Sequence, residues 1–279
     1  MKFRTTVDIP VASFSVEPME RMLFVGSCFA DNMGKRFAEE RFDTVINPYG
    51  VMYNPISILH TVERLATEAK PFTTAVFTLG TNHVYIEKST GKVVDNCQKR
   101  PQRLFEEREL TIDECTDALL SAVTLLRSAN PQVRVIVTVS PIRYAKYGFH
   151  ESQLSKATLL LAVKHLASHS TNGSPLLYFP AYEIVLDELR DYRFYQQDML
   201  HPSQQAVDYI YERFADTFFS KSTRQFIEEW RPVKEALTHR PFHPDSDEYK
   251  AFLRKTQERI NALKEKYPTL SLPSLPVSL

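Results

Sequence analysis

The stretch Arg21 to Ala30, RMLFVGSCFA, constrains the fold of this 279-residue chain more than any other. Met22-Leu23-Phe24-Val25 is apolar at every residue, so a strand there has to be covered on both faces. Gly26 follows at once, and Phe29, Met33 and Phe37 then recur at helical spacing. The pattern predicts a buried strand that turns on a glycine into a helix, with Ser27 on the turn. A hydroxyl there meets unpaired backbone N–H groups and the positive end of the helix dipole, which favour developing negative charge. It is equally the place of an ordinary N-cap.

The rest of the chain repeats the alternation. Strands are predicted over 42–47, 75–79, 133–139 and 176–179, and helices over 27–41, 55–69, 111–128, 155–168 and 203–220. Residues 83–87 and 92–94, joined by Ser89-Thr90-Gly91, read as an inserted hairpin. Strands alternating with helices imply an α/β fold, a three-layer α/β/α sandwich around a parallel sheet of about five strands. After Lys221 the chain becomes charged and helical, over 224–239 and 245–267, and a proline-bearing tail starts at Pro268. Residues 1–221 are read as the main domain and 222–279 as a C-terminal helical extension and tail.

Charge and cysteine usage narrow the function classes. Lys plus Arg and Asp plus Glu each number 34, so net charge is zero; with no basic stripe, nucleic acid is not the expected partner. The three cysteines, Cys28, Cys97 and Cys115, form no C-x-x-C, and neither a disulfide framework nor a zinc site is expected. The opening MKFRTTVDIPVASF lacks the apolar centre of a signal peptide, and no run reaches the length of a membrane span. The expectation is a cytoplasmic protein with no membrane partner, cofactor or metal. Walker, G-x-G-x-x-G, G-x-S-x-G and H-E-x-x-H patterns are missing too, which argues against an NTPase, a dinucleotide enzyme, an ordinary α/β-hydrolase and a zincin.

Far downstream, Asp198-Met199-Leu200-His201 precedes Pro202-Ser203 and a helical pattern. An Asp and a His three apart can hold an imidazole by one nitrogen and point the other at a serine. Gly26-Ser27 and Asp198-x-x-His201 together resemble the SGNH (GDSL-like) hydrolases. Gly26-Ser27-Cys28-Phe29-Ala30 spells the name of one branch, the GSCFA family. Asn96-Cys97, Thr138 to Pro141, Tyr178 to Glu183 and Asp198 to Ser203 resemble that family's other blocks, in its order. The resemblance runs from about Arg21 to Phe219.

It implies a serine esterase without metal, acting on an O-acyl or O-acetyl group of a carbohydrate or small molecule. Ser27 is the expected nucleophile, His201 the base and Asp198 its orienting partner. The expected oxyanion donors are the Ser27 N–H, the Gly50 N–H after the second strand, and an asparagine amide, either Asn82 in Gly80-Thr81-Asn82 or Asn96 in Asp95-Asn96-Cys97. Turn capping is the alternative for both asparagines. Cys28 is either a second nucleophile at the helix start or a small buried hydrophobe. His83, His150 and His165 are read as surface or satisfied core groups, and Glu183 as a salt-bridge residue. Acyl transfer at the same site and a non-catalytic scaffolding domain are the other functions open at this point.

Overall fold

The structure, a computed structural model, describes residues 4–66, 70–169 and 175–272. Strand β1 (Arg21–Gly26) leads into helix α1 (Cys28–Glu39), and β2 (Asp43–Ile46) follows. Helix α2 (Pro55–Leu65) starts on the Asn54 cap with Pro55 in its first turn. After β3 (Thr74–Leu79) come β4 (His83–Glu87), β5 (Lys92–Val94) and β6 (Phe105–Glu109). Helix α3 (Ile112–Ala129) opens on a complete Thr111–Glu114 capping box, and β7 (Arg134–Val139) follows. Helix α4 (Phe149–His169) and β8 (Leu176–Tyr178) precede the short α5 (Ala181–Glu183), which runs into a π-helical turn, Ile184–Glu188. Helices α6 (Gln204–Phe218), α7 (Lys221–Thr238) and α8 (Asp247–Lys266) complete the chain. The predicted end of α2 at 67–69 and the tail beyond 272 lie outside the described residues.

The main sheet is five parallel strands in the order β2-β1-β3-β7-β8. Alternate residues of each strand serve opposite layers. On β1, Leu23 and Val25 join the core under α2, α3 and α4, whereas Met22 and Phe24 join Phe29, Phe37 and Phe214 under α1 and α6. This double burial is what the unbroken apolar run required. The chain moves outward from β1 to β2 and then crosses back to β3, so the order reverses between β1 and β3. The carboxyl ends of strands beside such a reversal form the crevice where open α/β sheets bind ligands.

Strand β6 was not foreseen. FEERE pairs with β4 on the edge of a small antiparallel sheet, β5-β4-β6, and exposes all but Phe105. An edge strand this charged shows no apolar alternation to read. Helix α4 begins six residues ahead of the predicted Ser155. Helices α7 and α8 share a small core of Phe226, Trp230, Val233, Ile260, Leu263 and Leu270. The Trp230 indole N–H donates to the Glu39 carbonyl at 2.9 Å, which ties α7 to the end of α1. Among the described residues, no helix is long and apolar enough to cross a membrane.

Candidate active site

The turn after β1 is built by Gly26. Its φ is +141°, and a Cβ there would stand 2.1 Å from the Thr78 carbonyl oxygen. Only glycine lets β1 and β3 approach this closely at their ends. Asn47, itself at a positive φ of 38°, braces the same turn. Its side-chain oxygen accepts the Gly26 N–H at 2.9 Å, and its amide donates to Asp31 at 2.6 Å.

Ser27 has no exposed surface. Its hydroxyl lies 3.1 Å from the Thr78 hydroxyl and accepts the Phe29 N–H at 3.2 Å as the α1 cap. Its own N–H donates to the Thr78 carbonyl at 3.0 Å. The described hydrogen bonds include none between Ser27 and His201. Cys28 is the first residue of α1 and is half-buried, with Sγ 3.9 Å from the Tyr53 hydroxyl. Burial pushes its thiol above the ordinary value, and the nearby Asp31 carboxylate adds to this. The Tyr53 hydroxyl and the Cys28 N–H act the other way.

Asp198 and His201 do come together. His201 Nδ1 lies 2.6 Å from Asp198 Oδ2, and Asp198 Oδ1 accepts the N–H groups of Leu200 at 2.9 Å and His201 at 3.0 Å. Those two backbone donors and the ring hold the Asp198 carboxyl down at about 2. The imidazole is about one-third exposed. Met199 takes a φ of +57° to close the turn. Arg143, unnoticed in the sequence, fastens it from the loop after β7. The Arg143 N–H donates to the Leu200 carbonyl at 3.1 Å, and its guanidinium donates to the Met199 carbonyl at 2.9 Å. That guanidinium also lies over Phe149 at 4.1 Å and Tyr195 at 5.5 Å. Arg143, Leu186, Tyr192 and Tyr195 line an open cleft of about 390 Å³ beside the turn.

Three of the expected oxyanion donors are bonded within the fold, those of Ser27, Gly50 and Asn82. The Ser27 N–H is spent on Thr78, and the Gly50 N–H donates to the Asn47 carbonyl at 2.8 Å, closing its own turn. The Asn82 amide donates to the Leu110 carbonyl at 2.9 Å, and the Asn82 N–H is taken by the Ser155 hydroxyl. Asn96 is exposed and caps its own turn through Gln98. Its neighbour Asp95 is bonded to His60 and Arg64, which places this segment over α2. For the Ser27 N–H the physical reason is plain: a buried backbone donor at a strand end is satisfied within the fold unless a cavity is kept open for it.

The ends of β3 and β7 are held by a residue that the sequence did not single out. Lys156 is fully buried and donates to the carbonyls of Gly80 at 2.6 Å and Ser140 at 2.8 Å. Burial drives its ammonium down to about 7. Of the remaining candidates, His83 is buried and stacked on Tyr147 at 3.8 Å, and Glu183 accepts the Tyr178 hydroxyl rather than an ion-pair partner.

A family model described as GSCFA family matches residues 21–75 and 69–214. The chain belongs to the GSCFA family. A second model, described as GSCFA domain protein, C-terminal domain, matches residues 230–274, across the second half of α7 and all of α8. No curated protein matches this GSCFA chain. Among solved structures it is similar to a carbohydrate esterase family 3 protein from Talaromyces cellulolyticus, at 14% identity and a TM-score of 0.44, over 76% of this chain and 99% of that one. It is also similar to an acetyl-xylooligosaccharide esterase from Geobacillus Stearmophilus, at 13% and 0.45, over 73% and 96%. A carbohydrate esterase family 2 enzyme from Corynascus thermopiles matches at 14% and 0.46, over 79% and 69%. Likeness this remote transfers no chemistry to the GSCFA chain.

Proposed function

We propose that this GSCFA protein hydrolyses an ester at the carboxyl ends of β1 and β3, through an acyl-enzyme formed on Ser27. The observation that carries the reading is the Asp198–His201 pair: a partly exposed imidazole held by one nitrogen to a carboxylate that two backbone N–H groups fix in place. An imidazole held in that way is a general base with its tautomer set. The turn lies beside the reversal in strand order, where open α/β sheets bind their ligands. The substrate class is an O-acyl or O-acetyl ester of a carbohydrate or other small molecule. The cleft beside Arg143, with its tyrosine faces, has room for the alcohol part.

The non-catalytic reading has one observation in its favour, the Ser27 hydroxyl bonded to Thr78 instead of His201. A panel of short-chain acetyl and acyl esters, assayed with the intact protein and with His201→Gln, separates the two. Hydrolysis that depends on His201 supports the esterase. Binding of acylated ligands without turnover supports the scaffold. Addition of an alcohol acceptor reports transfer as a second product.

A further inference from the structure

Arg143 is a part-buried cation without a counterion. Its Nη1 donates to the Met199 carbonyl, and Nε and Nη2 have no acceptor among the described residues. Arg21, Arg36, Arg134 and Arg213 are part-buried too, and each pairs with a carboxylate. Arg143 does not, although Asp187 and Asp191 line the same cleft. Asp191 is engaged instead with the Arg193 N–H at 2.9 Å and the Arg193 guanidinium at 3.9 Å. The rings of Phe149, Tyr195 and Tyr192 lie 4.1, 5.5 and 5.9 Å from the Arg143 guanidinium. Aromatic faces attract the cation but accept none of its in-plane N–H groups, so the fork keeps a free edge.

The cleft around that edge has the size of a small organic ligand, about 390 Å³. Tyr192, 65% exposed, and Leu186, 36% exposed, offer it apolar surface. Leu186 stands there because the backbone takes the π-helical turn Ile184–Glu188, a form found mostly at functional sites. Tyr195 bridges to Pro202, and the Gln196 N–H donates to the His201 carbonyl at 2.7 Å. One wall of the cleft is therefore the segment that carries His201.

Resting on the ester-hydrolase reading, we propose that this cleft binds the alcohol part of an acidic ester and that Arg143 takes its carboxylate. Nε and Nη2 form one edge of the guanidinium and match the two oxygens of a carboxylate. The body of the alcohol part lies against Tyr192 and Leu186. Asp187 and Asp191 stand on the same cleft and repel a second negative charge, and Arg190 offsets only one of them. A single carboxylate thus fits where a doubly charged phosphate does not.

The first arm of the test needs no turnover. Calorimetry on the intact protein compares p-acetamidobenzoate with its neutral counterpart p-acetamidobenzamide, neither of which is an ester. The acid is expected to bind at least about ten times tighter and to weaken with added salt. That lead is expected to vanish in Arg143→Met and to survive in part in Arg143→Lys. Equal affinities, no binding of the acid, or a lead that persists in Arg143→Met overturn the proposal. Phenyl phosphate is expected to bind more weakly than the acid, and tighter binding overturns the choice of a carboxylate.

The second arm compares hydrolysis of p-acetoxybenzoate and p-acetoxybenzamide. KM is expected to be at least about ten times lower for the acid, with the ratio falling toward one in Arg143→Met. The ratio is taken within each variant, so a loosened Met199-Leu200 turn, which slows both esters alike, does not imitate the effect. A ratio unchanged in Arg143→Met overturns the proposal. Binding of the acid through Arg143 with neither ester hydrolysed supports the carboxylate site and overturns the ester-hydrolase reading instead.

Discussion

His201 Nδ1 sits 2.6 Å from Asp198 Oδ2, and the other oxygen of the same carboxylate is held by the N–H groups of Leu200 and His201. The carboxylate is therefore fixed before it meets the ring. Asp198→Asn keeps the side-chain shape but offers the ring an amide, which permits the wrong tautomer. The expected result is a loss of about 10³–10⁴-fold in kcat with the circular dichroism spectrum unchanged.

The pH behaviour of this pair has a definite sign. The Asp198 carboxyl is held at about 2, below its usual range, first by the His201 and Leu200 N–H groups. Its contribution is in place above the unfolded value and fades only as pH falls toward 2. Any acid loss of activity at milder pH is then not the titration of Asp198. A pH–rate profile of Asp198→Asn is expected to keep an acid limb at reduced rate. Disappearance of that limb would assign it to Asp198.

Much of this was legible in the sequence because the informative groups are local. Unbroken apolar runs such as Val133 to Val139 mark strands buried on both faces, and Asp198 and His201 lie close enough for one turn to unite them. What was hidden depends on partners far along the chain. Ser27 reads identically as nucleophile or cap until Thr78, fifty-one residues on, is seen beside it. The Asn82 amide looks free until Leu110, twenty-eight residues on, claims it. Lys156 lies near the start of a predicted helix, and only the fold brings Gly80 and Ser140 to its ammonium.

Gly26→Ala tests the closeness of β1 and β3. The new methyl would meet the Thr78 carbonyl at 2.1 Å, in a backbone region closed to alanine. Overpacking and backbone strain together are expected to cost about 2–6 kcal/mol, read from urea unfolding. A wild-type midpoint would mean that the strand ends can separate freely.

Lys156→Met tests the buried ammonium. Burial lowers this group to about 7, so between pH 7 and its unfolded value near 10 the unfolded chain binds the extra proton. Wild-type stability therefore gains a term that rises with pH through that window, by up to about 1.4 kcal/mol per unit. Urea midpoints of the methionine variant at pH 7, 8 and 9 are expected to lack that rise.

Trp230→Ala tests the anchoring of the C-terminal helices. The indole is buried and bonded to the Glu39 carbonyl. Its removal is expected to cost about 3–5 kcal/mol. Thermal unfolding followed by circular dichroism checks this, and a loss under about 1 kcal/mol would mean that α7 is not an integral part of the fold.

Steady-state hydrolysis of p-nitrophenyl acetate by the intact protein and by His201→Gln tests the central claim most directly. The expected result is turnover by the wild type that falls at least about 10³-fold in the variant, with the fold intact. Turnover that survives the loss of His201, or a wild type that hydrolyses no ester of the panel, would contradict the account.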